Sequence, residues 1–229
     1  MDFTVLLKFL PLILTGLWYT IILLILSVAF GMILAIPIGL VQVTGPRPLA
    51  WLASAFCTTI RGTPLLIQLY ILYYGLGSLF PQIPWIRESF LWPVLREGFF
   101  YAVLAFTLSF AGYEGAIMKG AFASVPKGEL EAARAFGMPP FTVLRRIWFP
   151  RAFRIVLPTL GGETILQLKA TPIAALVTVI ELYGAAGQIF RSTLDFFPPM
   201  IMVAVIYILL TFIITRLFNM IERQVPQRR

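Results

Sequence analysis

The sequence has no histidine and one cysteine, Cys57, and only 12% of its 229 residues are charged. Each scarcity excludes something. A lone cysteine cannot close a disulfide within the chain. Without histidine there is no His/Cys metal site and no Cys–His catalytic pair. A soluble domain of this length carries roughly twice this charged fraction. There is no glycine-rich phosphate loop, so the chain is expected to bind no nucleotide, and no cofactor, itself. No convincing internal repeat is present, and the spans contain no Ser–Lys or paired-Asp arrangement that would support an intramembrane enzyme.

What is abundant is apolar: 59% of the residues are hydrophobic, and the mean hydropathy is +0.90. That much apolar surface exceeds what one core can hold, so part of it must face lipid. The chain is read as an all-α integral membrane protein forming a single transmembrane domain over 1–229. Its formal charge is +8. In a soluble protein that would suggest nucleic acid. Here the basic residues cluster at the ends of apolar runs, so the positive-inside rule is the cheaper explanation and no nucleic-acid partner is expected.

Apolar runs predict five spans at about 17–43, 52–80, 98–119, 155–182 and 200–219. No charge occurs from Phe9 to Pro46. Two spans and a turn would need over 40 residues, so one long helix is favoured over a hairpin, with Pro11 and Gly16 marking an interfacial start. The segments 81–97 and 183–198 read as near-neutral outer loops. The basic 119–154 region and the basic tail read as cytoplasmic, and the two spans between them agree with that. The N-terminus is then outside and the C-terminus inside. The apolar N-terminal run lacks a small-residue cleavage site and reads as a retained span.

The long polar segment is Ser124–Arg154, SVPKGELEAARAFGMPPFTVLRRIWFPRAFR. Ser124 suits an N-cap, Pro126 a first turn, and Glu129 and Glu131 the positive end of a helix dipole. Gly137 is placed to end the helix, and Pro139 and Pro140 keep it from resuming. Alone, such a loop could be a topology anchor.

Charged groups at mid-bilayer cost about 2.5–3.5 kcal/mol each, so they must face protein or water. Glu114, Glu163 and Lys169 are the candidates for a substrate pathway, with Gln68 the chief polar position beyond Pro64. Glu163 and Lys169 lie on different helix faces, so they would not pair on one helix. Each residue also has a purely structural reading, as an interhelical ion pair, a hydrogen bond or a snorkelling side chain. Arg61-Gly62-Thr63-Pro64 is a built-in irregularity: Pro64 removes a backbone bond and clashes with the Ile60 carbonyl, and Gly62 weakens the same turn. Gly62, Thr63 and Pro64 read as a kink or gate, or as a packing kink at the membrane edge. Pro172 marks a second kink.

Several motifs then agree on a family. Glu131-Ala132-Ala133, Gly137 four residues after Ala133, then Ile147 and Pro150 resembles the EAA loop of ABC importer membrane subunits. The one departure is Phe149 where that pattern has Leu. Arg61-Gly62-Thr63-Pro64-Leu65-Leu66-Ile67-Gln68 resembles the hallmark of the polar amino-acid branch, and the run from Gly161 through Glu163 to Thr171 resembles that branch's fourth-span motif. The resemblance covers nearly the whole chain and is strongest to M-type permeases for histidine, arginine/ornithine and opines. Two departures concern the pathway: Ala116 stands where relatives commonly carry a carboxylate three residues after the tyrosine matching Tyr113, and Pro172 replaces a usual serine.

The resemblance implies the MetI-like fold of type I ABC importers in a bacterial inner membrane, with a cytoplasmic coupling helix. It implies that Glu131, Ala132, Ala133 and Gly137 contact a cytoplasmic ATPase dimer, which uses the ATP and magnesium. It also implies a second permease subunit, either a Q-type companion or a second copy, and a periplasmic substrate-binding protein. The cargo would be a polar amino acid or opine, moved inward by alternating access. Two intramembrane glutamates against one lysine favour a cationic one. The competing class is a self-contained secondary transporter or channel, against which stand the odd span count, the small size and the EAA match.

Overall fold

The computed structural model describes residues 8–224. The tail beyond Gln224 and the first seven residues, which entered the orientation and domain expectations, lie outside the described residues.

The first apolar run is one continuous helix, α1 (Leu10–Thr44). It starts at Leu10 and not near Leu17, because Pro11 sits in the first turn, where its missing N–H costs nothing. At about 1.5 Å per residue α1 is roughly 52 Å long, more than a bilayer core requires. Its buried stripe includes Gly31, Ala35 and Gly39, each four residues apart. This stripe lies on α4 (Gly98–Ser124). A Cβ at Gly31 would meet Phe110 at 2.7 Å, and one at Gly39 would meet Met118 at 2.5 Å. Small residues let the two backbones approach, which is how helices gain contact where water supplies no drive. Gln42 fastens the C-terminal half of this packing, donating to the Gly115 carbonyl of α4 at 3.3 Å.

The second expected span is not one helix. It comprises α2 (Arg47–Gly62) and α3 (Leu65–Tyr70), and α3 continues through a π-helical stretch, Ile71–Leu76. The two parts meet at 105°. The residue before a proline is driven out of the helical region, and Thr63 is extended at φ −118°, ψ 139°. The freed carbonyls do not go unpaired. Thr63 Oγ1 donates to the Thr59 carbonyl at 2.9 Å, and Gln68 Nε2 donates to the Ile60 carbonyl at 2.8 Å.

The fourth expected span also ends differently. Helix α6 (Phe149–Ala170) gives way at Thr171–Pro172 to a 3-10 segment, Thr171–Val177. The chain then turns through Thr178, at φ +68°. The expected outer loop after it is largely a helix, α7 (Leu182–Thr193). Leu182, Ala185, Ala186 and Ile189 are buried, because the small residues of α7 seat on α1 where a Cβ at Gly16 would lie 3.0 Å from Ala185. Loop-like composition concealed a packing face. The last helix, α8 (Phe197–Gln224), leaves Ile208, Leu209, Phe212 and Ile213 exposed, a surface suited to lipid.

Among the described residues three helices are long and apolar enough to cross a membrane, and up to five crossings result if each bent pair counts as one.

Candidate functional site: a half-open pocket and a helix with an exposed face

The polar segment forms α5 (Lys127–Ala135). Ser124 is not its N-cap. It ends α4 and bonds back to the Gly120 carbonyl at 2.7 Å, and Pro126 occupies the cap position. Gly137 closes the helix in the left-handed region at φ +77°. Gly137 N donates to the Arg134 carbonyl and Met138 N to the Ala133 carbonyl, satisfying the terminal acceptors. The helix has two faces. Leu130 and Ala133 are buried in one cluster with Val143, Ala152 and Phe122. Glu131, Ala132, Arg134 and Phe136 point outward, as does Gly137. Ala133 therefore seats the helix on the spans, while Glu131, Ala132 and Gly137 share the free face.

Glu129 belongs to neither face. Arg151, in the first turn of α6, donates from Nε to Glu129 Oε2 at 2.8 Å and from a terminal nitrogen to Oε1. This hydrogen bonding and charge hold the Glu129 carboxyl below its ordinary range and push the Arg151 guanidinium up.

At the other end of α6, a cavity of about 220 Å³ is lined by Leu65, Ser109, Tyr113, Glu163 and Gln167, among others. Three elements supply it. Leu65 opens α3 directly after the Pro64 break. Ser109 and Tyr113 are four apart on one face of α4, and Glu163 and Gln167 are four apart on α6. Gln167 is oriented by its Nε2 bond to the Phe106 carbonyl at 2.9 Å. Arg61 stacks over the Tyr113 ring at 5.7 Å. The lining thus carries one carboxyl side chain, two hydroxyls and an amide, with a guanidinium stacked over its tyrosine.

The four pathway candidates separate. Glu163 lines the cavity. Glu114 is fully buried and outside the lining, and neither of its carboxylate oxygens accepts a hydrogen bond. It sits in the same four-residue stripe as Phe110 and Met118, which pack on α1. Gln68 spends its amide nitrogen bridging the break, on the Ile60 carbonyl and on Thr63. Lys169 is exposed on the far side of α6. Gly62, Thr63 and Pro64 stand together at the break. Sequence reasoning missed Ser109, Tyr113 and Gln167. The i, i+4 relation of Gln167 to Glu163 was the available signal.

A second polar cluster also went unseen. Glu181 is fully buried and caps α7, accepting from Tyr183 N at 2.9 Å and Gly184 N at 2.7 Å. Tyr207 donates to it at 3.1 Å and lies 2.8 Å from Thr171 Oγ1. Leu182 N donates to Thr20 of α1 at 3.1 Å. The N–H groups of Leu182, Tyr183 and Gly184 at the start of α7 are thereby satisfied, and three spans are joined.

Comparison with known proteins decides what this arrangement belongs to. Residues 27–227 match the family model described as the binding-protein-dependent transport system inner membrane component. The chain belongs to that family. This permease is 38% identical over 221 residues to an octopine transport system permease protein of Rhizobium radiobacter, covering 95% of this chain and 87% of that protein. It is 37% identical over 210 residues to the histidine/lysine/arginine/ornithine transport system permease protein of Escherichia coli K12, covering 92% and 87%. Among solved structures, an amino acid ABC transporter crystallised with histidines superposes with a TM-score of 0.81 at 31% identity, covering 98% of the permease and 99% of that chain. The methionine transporter MetNI in an inward-facing form superposes at 0.78 with 20% identity, covering 96% and 99%, and so shares the fold. The permease therefore has the MetI-like fold of type I ABC importers, as the motifs implied, and is a membrane transport subunit whose family works with an ATPase and a substrate-binding protein.

Proposed function

We propose that the permease carries a cationic amino acid or an opine across the bacterial inner membrane, with the half-open pocket as the substrate site. The observation that carries this reading is Glu163, the charged side chain lining the cavity. Glu163 takes the cationic group of the cargo, Ser109 and Gln167 offer polar contacts, and Arg61, stacked over Tyr113, takes the cargo's carboxylate. Relatives named for octopine and for histidine, lysine, arginine and ornithine transport support this class. Glu114, Gln68 and Lys169 take structural roles in this reading: core packing, bridging of the break, and a lipid- or partner-facing cation.

Five crossings follow if each bent pair is one span, with the N-terminus outside and α5 and the C-terminus in the cytoplasm. The α5 face bearing Glu131, Ala132 and Gly137 docks on a separate ATPase, which holds the ATP and magnesium. A second permease, a Q-type companion or another copy, completes the pathway, and a periplasmic protein delivers cargo. The Gly62–Pro64 break is the gate element, since irregular backbone at membrane depth is tolerated where it lines a cavity.

Uptake by proteoliposomes holding the full transporter tests the site. Glu163→Gln is expected to raise KM for arginine or octopine about tenfold or more, as loss of one charge-assisted contact does, while leaving the ATPase bound. An unchanged KM for every cationic cargo would remove Glu163 from the substrate site.

A further inference from the structure

The described residues contain 2 ion pairs. One joins chain neighbours, Arg96 and Glu97, and both partners are well exposed. The other, Glu129–Arg151, joins two different elements, α5 and α6. In a chain with 18 basic and 10 acidic residues, the ion pair that links elements sits between the docking helix and the helix that carries Glu163. From Arg151 to Glu163 is about 18 Å along α6 at ~1.5 Å per residue.

We propose that Arg151 is a positioning residue for energy coupling, holding α5 at a fixed angle to α6 so that displacement of the docking helix reaches the pocket. The inference rests on the reading of α5 as the ATPase contact. Without this link α5 is poorly fixed. It is bounded by extended Val125–Pro126 on one side and by left-handed Gly137 with Pro139 and Pro140 on the other. Its inward face offers only Leu130 and Ala133 as buried contacts. Two apolar contacts resist separation more than rotation, since dispersion and burial are non-directional. A forked guanidinium–carboxylate pair is directional and resists rotation. Both side chains are partly exposed, so the pair adds little to stability, and its value is geometric. The residue just before α6 is fastened on the other flank as well: Trp148 Nε1 donates to the Phe122 carbonyl of α4 at 2.9 Å. Trp148 and the first turn of α6 together hold both sides of the α4–α5 turn, and α6 carries that position to Glu163 and Gln167.

The test is the ratio of substrate transported to ATP hydrolysed, measured in proteoliposomes holding the whole transporter with its binding protein. Arg151→Met and Glu129→Gln are each expected to lower the ratio about three- to tenfold, with the ATPase still co-purifying. The charge-swapped pair Glu129→Arg with Arg151→Glu is expected to recover most of the ratio. If Arg151→Met fails to assemble, Arg151→Lys replaces it and gives a smaller loss in the same direction. Single variants with a wild-type ratio, or a swap no better than either single change, would overturn the proposal. Glu131→Arg is run alongside. If it leaves the ATPase bound and the ratio unchanged, the docking assignment of α5 has failed, which is a different result from failure of the Arg151 link.

Discussion

At the scale of single residues, the charged positions divide by what surrounds them. Glu163 lines a cavity, Glu114 is enclosed by helix packing, and Glu181 is consumed by backbone donors and a tyrosine. All three are glutamates near or within spans, and sequence spacing alone does not separate a lining residue from a capping one. Glu181 falls inside the fourth span expected at 155–182, and the sequence reading does not single it out. Glu181→Ala is expected to destabilise the permease by about 2–4 kcal/mol, since it removes a cap and orphans a buried hydroxyl; Glu181→Gln keeps an acceptor and should cost less. Thermal unfolding in detergent measures both. The Glu129–Arg151 pair has a pH signature. The folded carboxyl titrates below its ordinary value, so the stability it contributes is complete above the unfolded carboxylate pKa of about 4.3 and is lost only as pH falls through the lower folded value. The pair stays ionised from about pH 5.5 to 8, so its contribution to the ratio of transport to ATP hydrolysis should not change with pH across that range. A loss in that range that disappears in Arg151→Met would contradict the assignment.

At the scale of elements, the strongest local signals were proline and glycine. Gly137 ends α5 as its position foretold, and Pro64 breaks the second span. The size of that break, 105°, was not legible, because a proline fixes where the backbone bonding fails and tertiary packing fixes how far the chain turns. Pro64→Ala restores an N–H and frees Thr63 to become helical. It is expected to narrow the angle between α2 and α3, which spin labels on exposed positions of the two helices would detect, and to slow uptake. The run after Glu181 was misread for the opposite reason. Gly184, Ala185, Ala186 and Gly187 look like loop, yet small residues are what a close helix crossing requires. The same logic applies to α1. Gly39→Val places a Cβ 2.5 Å from Met118 and 2.9 Å from the Lys119 nitrogen, and the backbone cannot yield as a side chain does. A loss of about 1–3 kcal/mol or failure to assemble is expected, read by thermal unfolding of the purified subunit.

At the scale of the whole molecule, the all-helical membrane class was legible from composition, and the transport family from the EAA and Arg-Gly-Thr-Pro motifs. The pocket was only half legible, because it is assembled from α3, α4 and α6, and no stretch of sequence contains it. In the proposed reading, α6 is a lever with α5 and its docking face at one end and Glu163 toward the other. The most direct measurement of the central claim is substrate uptake by the reconstituted transporter, with and without ATP on the side of the ATPase subunits, in wild type and Glu131→Arg. The account predicts uptake of a cationic amino acid or opine only during ATP hydrolysis, abolished by Glu131→Arg together with loss of the bound ATPase. Uptake driven by an ion gradient through the permease without ATP would contradict it.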